Sequence, residues 1–191
     1  MHTASTHKLL KIKVRRRKMK GVIILALKEM VIEKFGIDKW KNALVKAGIK
    51  KEPLILPISN VDDQIFLSVV NSLCEVLNIS FIQVADAFGD YWVSVYSQKM
   101  YRVYYENVKT AKEFLLKMDS VHVATTKNIP DANPPRFKYE WKDEKTLIMK
   151  YKSRRGLIDL MVGLIKGVGK FYKEDLKVTK LGSDKVEIVF P

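Results

Sequence analysis

Apolar residues at positions 23, 24, 27, 30, 31 and 35 recur at the spacing of one helical face, so KGVIILALKEMVIEKF predicts a helix over 20–35 that ends near Gly36. DKWKNALVKA at 38–47 predicts a second helix, stopped by Gly48. IKKEPLILPISN carries two prolines and reads as a connection. Asn60 is placed to cap VDDQIFLSVVNSLCEVL, with Asp62 and Asp63 in the first turn. Ser80 is placed to cap the helix FIQVADAFGDYWVSVYS, and Thr110 one over about 110–126. The period then changes. NIPDANPPRF is a loop. FKYEWK and TLIMKYKS alternate as strands, with Asp143 and Glu144 between them in a hairpin. RGLIDLMVGLIKGVGKFYK returns to a helical period over 155–173, and LKVTKL and KVEIVF form a second hairpin across Gly182. The predicted class is α+β: an amino-terminal helical part packed with a carboxy-terminal antiparallel sheet and one long helix.

Composition changes this picture little. A chain of 191 residues, 47% hydrophobic with 9 Gly and 6 Pro, is globular and large enough for a real core. One cysteine, Cys74, excludes an internal disulfide framework and suits a reducing compartment; in its apolar stretch it reads as a core residue. The net charge of +14 is uneven. Residues 1–18 carry seven Lys/Arg and no acid, so they are taken as a basic extension or leader, outside a single domain at 19–191. A basic arm on phosphates makes a small nucleic-acid-binding protein the alternative function, although this concentration of charge in one tail makes a nucleic-acid partner the weaker expectation. The apolar run GVIILAL breaks at Lys28–Glu29, too soon for a signal peptide, and no run is long enough to span a bilayer. The expectation is a cytoplasmic protein with no membrane partner.

Two signals carry chemistry. Beyond the tail the sole histidine is His122, on one helical face with Phe114, Leu115 and Met118. A core histidine bonded to backbone and an inward ligand both satisfy that pattern. Zinc held by protein alone is excluded, because no second histidine or nearby cysteine completes the set. A single axial histidine suffices only where a cofactor supplies the other bonds, as porphyrin does. The second signal is Tyr151, Ser153 and Arg155. In an extended chain these alternate positions share a face, giving a row of hydrogen-bond donors with no acid among them. An ordinary solvated strand face and a clamp for an anion both fit. Gly163 and Gly167 read as close-packing positions on the last long helix. Phosphate-loop, zinc-finger and serine–histidine–acid patterns are absent.

Taken in order, MDSVH, NPPRF and YKSRR resemble the H-NOX (haem–nitric oxide/oxygen binding) domain, the sensor of soluble guanylate cyclases and of many bacterial signalling proteins. MKGVI at 19–23 and AFGDYW at 87–92 resemble further family stretches, so the likeness covers 19–191. It implies a buried haem b (iron protoporphyrin IX) between the helices and the sheet, with His122 as proximal iron ligand. Tyr151, Ser153 and Arg155 would clamp the haem propionates, and Pro135 would press on the porphyrin and bend it. Ile23, Trp92, Leu160 and Leu164 would line the distal side. Members that bind dioxygen stably place a tyrosine five residues after the clamp arginine; here that position is Leu160, which donates no hydrogen bond. The resemblance therefore implies a non-enzymatic sensor of nitric oxide and carbon monoxide that excludes dioxygen and signals through weakening of the Fe–His122 bond. Its partner would act in trans: a histidine kinase, a diguanylate cyclase or a chemotaxis protein in a bacterium.

Overall fold

In the computed structural model, which describes residues 18–191, the first element is a strand rather than a helix. Of the expected basic extension only Lys18 falls among the described residues; the rest lies outside them. Strand β1 (Lys18–Lys20) pairs antiparallel with β2 (Asn60–Asp62), Lys18 facing Asp62. Helix α1 (Gly21–Phe35) follows without a side-chain cap. Its first two N–H groups, which have no partner inside the helix, donate instead to the backbone of the connection: Gly21 to Ser59 O at 2.8 Å and Val22 to Pro57 O at 2.9 Å. The proline-bearing connection thus serves as the cap of α1.

Helix α2 (Ile37–Lys46) packs on α1 and on α3 (Asp63–Leu77). Asn60 does not cap α3. Pairing with β1 holds Asn60–Asp62 extended, and the helix starts three residues later, where the Asp62 side chain accepts from Gln64 N at 2.9 Å. Helix α4 (Phe81–Tyr91) has the expected cap at Ser80, completed by Gln83 as a capping box. The helical pattern beyond Tyr91 is not one α-helix. It widens into a π-helical turn at Trp92–Tyr96 before a short α5 (Ser97–Met100). Thr110 caps α6 (Ala111–Thr126), accepting from Glu113 N at 3.1 Å.

The second half matches the predicted strand–strand–helix–strand–strand order. Strands β3 (Arg136–Trp141), β4 (Thr146–Lys152), β5 (Lys177–Lys180) and β6 (Lys185–Val189) form one antiparallel sheet in the order β3-β4-β6-β5. Helix α7 (Ile158–Tyr172) lies between the hairpins in sequence and makes its most extensive contact with α4. That contact is a glycine seam. A Cβ added at Gly163 would sit 2.2 Å from Ala85 O, and one at Gly167 2.4 Å from Gly89 O. Lys166 pairs with Asp86 at 2.8 Å and Lys170 with Asp90 at 2.7 Å. Residue order rises together on both helices, so α4 and α7 run parallel and in register, as the close-packing reading of Gly163 and Gly167 requires.

The core has two apolar clusters. One gathers α1–α4; the other gathers α6, α7 and the inner face of the sheet. Trp92 packs against both. Among the described residues no single helix is long and apolar enough to cross a membrane.

Candidate functional site

His122 lies near the end of α6, two turns after Phe114 and Leu115, which are buried in the second cluster. Its Nδ1–H donates to Pro135 O at 2.9 Å, and its ring lies 5.2 Å from that of Phe137. Burial pushes the imidazole below its ordinary pKa, outweighing the Pro135 bond and the nearby Asp119, which favour the proton. The ring is therefore neutral near pH 7, with its one proton on Nδ1 and a free lone pair on Nε2. That is the tautomer of a histidine metal ligand, its other ring nitrogen held by a backbone carbonyl.

Asp119 locks the helix beneath this ring. Its carboxylate accepts from Arg136 Nε at 2.8 Å and NH2 at 2.6 Å, and from Phe137 N at 2.8 Å. The paired Arg136 guanidinium holds the Asp119 carboxyl at about 2. Tyr139 adds a tie, donating to Leu115 O at 2.9 Å and accepting from Asp119 N at 3.3 Å. Helix α6 is thus fastened to β3 at Leu115 and Asp119, in the two turns that lead up to His122.

The polar row is built differently from its expected form. Tyr151 is on β4, buried, opposite Phe137, with ring centroids 6.2 Å apart. The strand stops at Lys152, so Ser153 and Arg155 lie in the turn that leaves it, and Gly156 adopts φ 68° there. Ser153 Oγ accepts from Arg155 N at 3.3 Å. The Arg155 guanidinium is a junction between distant segments. Nε donates to Asp63, with Oδ2 at 3.1 Å; NH1 donates to Asn133 O at 2.7 Å; NH2 donates to Lys18 O. Arginine has five N–H donors, so two remain for a further anion. Lys20 reinforces the junction, its ammonium bonding Asn60 Oδ1 at 2.7 Å and Pro130 O at 2.8 Å.

Ile23, Trp92, Leu160 and Leu164 all pack, half-buried, on the first cluster. Trp92 sits at the start of the π-helical turn in an aromatic stack with Phe88 and Tyr96, at centroid distances of 5.8 and 5.5 Å. The structure therefore sorts the expected residues into two groups. His122, Pro135 and Tyr151 are joined through Phe137 on the sheet side, and the four apolar residues lie on the helical side. Trp92 touches both clusters.

A planar, apolar, doubly acidic cofactor with one open axial bond fits this donor set. The neutral imidazole offers one lone pair, the half-buried apolar side chains offer a hydrophobic face, and Arg155 retains free donors. Among the described residues no cluster of three or more His, Cys, Asp or Glu is placed to hold a bare metal ion. Sequence reasoning missed Asp119, Arg136, Asp63 and Asn133. An acid three residues before His122 and an arginine directly after Pro135 were the available local signals; Asp63 and Asn133 gave none.

A family model described as haem-NO-binding matches residues 20–180. Two soluble guanylate cyclases of Caenorhabditis elegans, gcy-34 and gcy-32, are each 29% identical over 161 residues, covering 80% of this chain and 23% of theirs. This chain therefore spans under a quarter of those relatives' length. An oxygen-binding H-NOX domain related to soluble guanylate cyclases, solved as its oxygen complex, superposes with TM-score 0.75 at 25% identity, covering 90% of this chain and 95% of its own. The Fe(II) unliganded H-NOX protein from K. algicida gives TM-score 0.79 at 22% identity over 91% and 97%, a likeness of fold.

Proposed function

This chain belongs to the haem-NO-binding (H-NOX) family, and from that premise we propose that it senses nitric oxide, binds carbon monoxide as a second ligand, excludes dioxygen, and reports to a signalling protein in trans. The observation that carries this reading is His122: neutral, fixed through Nδ1 to Pro135 O, with Nε2 free. Bound haem would supply a ferrous iron able to take the Nε2 lone pair of His122 and to bind a diatomic gas.

The residues divide the work. His122 holds the iron from the sheet side. Tyr151, Ser153 and the remaining donors of Arg155 take the propionates. Pro135 serves twice, bearing on the porphyrin and accepting the Nδ1 proton of His122. Ile23, Trp92, Leu160 and Leu164 form the gas side. The Leu160 side chain has no N–H or O–H to donate to the partial negative charge of bound dioxygen; nitric oxide depends far less on such a donor. Whether or not Nε2 is engaged, the His122 ring is tied to Pro135 and α6 is tied to β3 through Asp119. Any shift of α6 is therefore carried into the loop 127–135, which Lys20 and Arg155 hold against β1. A partner able to distinguish the two positions reads the signal, with a typical coupling of about 1–3 kcal/mol. A histidine kinase, a diguanylate cyclase and a chemotaxis protein all meet that requirement.

The test is an absorption spectrum of the ferrous protein under each gas. Nitric oxide and carbon monoxide should each shift the haem band, and air should leave no stable oxy form. His122→Gly should lose haem and regain it with added imidazole. A colourless protein that takes up no hemin ends the sensor reading; a stable oxy spectrum ends only the claim of selectivity.

A further inference from the structure

The connection 53–59 presents a feature that gas sensing does not use. Leu54, Leu56 and Ile58 are 91%, 53% and 65% exposed, Leu54 in the irregular chain that leads up to a β-turn over Leu56–Ser59, Leu56 at its first position and Ile58 at its corner. The intervening Ile55 and Pro57 are half-buried. This segment is firmly seated. Its carbonyls at Pro57 and Ser59 cap α1, Leu56 N donates to Ser59 Oγ at 3.0 Å, and Ser59 N donates to Leu56 O at 2.9 Å. Gly21 lies so close beneath it that a Cβ there would be 2.1 Å from Leu56 O. The backbone is thus satisfied inward, and three large aliphatic side chains are held outward. Single exposed leucines are ordinary, but three exposed aliphatic side chains within five residues, on a backbone tied inward, are not.

Basic side chains flank the row. Lys50 and Lys51 are exposed immediately before it. The one acid of the connection, Glu52, is spent on Lys28 at 2.9 Å and on Trp40 Nε1–H at 3.1 Å. On the adjoining ribbon, Lys20 bonds neutral oxygens of Asn60 and Pro130. In sequence, KLLKIKVRRR just before β1 carries six Lys/Arg and no acid.

We propose that Leu54, Leu56 and Ile58, rimmed by Lys50, Lys51 and Lys20, form a peripheral docking surface for anionic lipid, the aliphatic row entering the headgroup boundary while the ammonium groups meet phosphates. The row protrudes, with Leu54 almost wholly free, as entry into a soft interface requires. Bare charge on a nucleic acid would make no use of it. The expectation of no membrane partner rested on the absence of a spanning segment, which does not bear on surface contact.

The test is cosedimentation of the full chain, haem-loaded, with sucrose-filled vesicles. One set is phosphatidylcholine alone, and the other contains roughly 30% phosphatidylglycerol, both at about 0.15 M salt. Wild type should sediment with the anionic vesicles and not with the neutral ones. Leu54→Ser/Leu56→Ser/Ile58→Ser, which leaves net charge unchanged, should lose roughly tenfold or more in affinity. Lys50→Glu/Lys51→Glu should also weaken binding. The replaced side chains are exposed, so the haem spectrum should match wild type and confirm folding. If the triple serine variant binds as well as wild type, charge alone acts and the proposal falls. If wild type ignores anionic vesicles, it falls too, and the row belongs to a protein partner. Neither failure touches the gas-sensing reading, which the spectrum tests by itself.

Discussion

Removing Asp119 should unfasten the helix that carries His122, and the size of the effect follows from its contacts. Its carboxylate accepts two charge-assisted bonds from Arg136 and one from Phe137 N. An aspartate held at about 2 instead of its ordinary 3.8 would contribute at most about 2.5 kcal/mol, at ~1.36 kcal/mol per pH unit. Its side chain is 24% exposed and that of Arg136 54%, so water reduces this to roughly 1–2 kcal/mol. The folded-state pKa is depressed, so the contribution is complete above the unfolded value near 4 and is lost as pH falls through about 2. Urea denaturation of the apo-protein measures it. At neutral pH Asp119→Ala should cost roughly 1–2 kcal/mol. A cycle with Arg136→Ala should show a coupling of about 1 kcal/mol. Between pH 4 and 2 wild type should lose more stability than Asp119→Ala does, the difference closing at the acid end. Additive single mutants, or parallel acid profiles, would refute the assignment of this pair as the fastener of α6.

Three further outcomes are expected. Gly163→Ala drives a Cβ to 2.2 Å from Ala85 O in the α4–α7 seam, so it should destabilise by about 1–3 kcal/mol in denaturant; an unchanged midpoint would mean the helices part without cost. Asp63→Ala leaves Arg155 without its carboxylate at a site where the two side chains are 10% and 15% exposed, and should cost about 3–5 kcal/mol; a loss well under 1 kcal/mol would show that Arg155 is held by backbone carbonyls alone. Leu160→Tyr places a phenol donor on the proposed gas side, and should create a ferrous form with a measurable oxy spectrum in air; continued exclusion of dioxygen would move the source of selectivity away from position 160.

Legibility in the sequence followed the range of the interactions. Ser80 and Thr110 could be read as caps because each bonds an N–H three residues away. Asn60 has the same chemistry, yet it is drawn into a strand by Lys20, forty residues earlier. Strand β1 is three residues long and shows no period. The π-helical turn preserves the apolar spacing of α4 closely enough to pass for its continuation. At the site, His122 was legible because its own helix supplies its inward-facing stripe. The alternating row was legible only as far as Tyr151, since the strand ends one residue later. The partners of Arg155 were beyond reach: Asp63, Asn133 and Lys18 lie 92, 22 and 137 residues away.

That last set of contacts bears most on how a sensor of this shape could transmit. The loop 127–135 leaves α6 just past His122 and returns as β3. At its far end it is fixed by His122 to Pro135 and by Asp119 to Arg136. In its middle it is fixed by Lys20 to Pro130 O and by Arg155 to Asn133 O. The first pair of ties belongs to the sheet, the second to the ribbon β1–β2 from which α1 springs. A free loop would absorb a small displacement of α6 in its own torsions. This one has three prolines and four ties, so displacement is passed to β1 and, through Gly21 and Val22, to the connection 53–59 that caps α1. In the reading proposed above, Arg155 is then more than a grip on a propionate. Its guanidinium meets the helix-bearing ribbon and the histidine's own loop through three donors and would meet the cofactor through the remaining two, so a displacement at one contact is passed to the others.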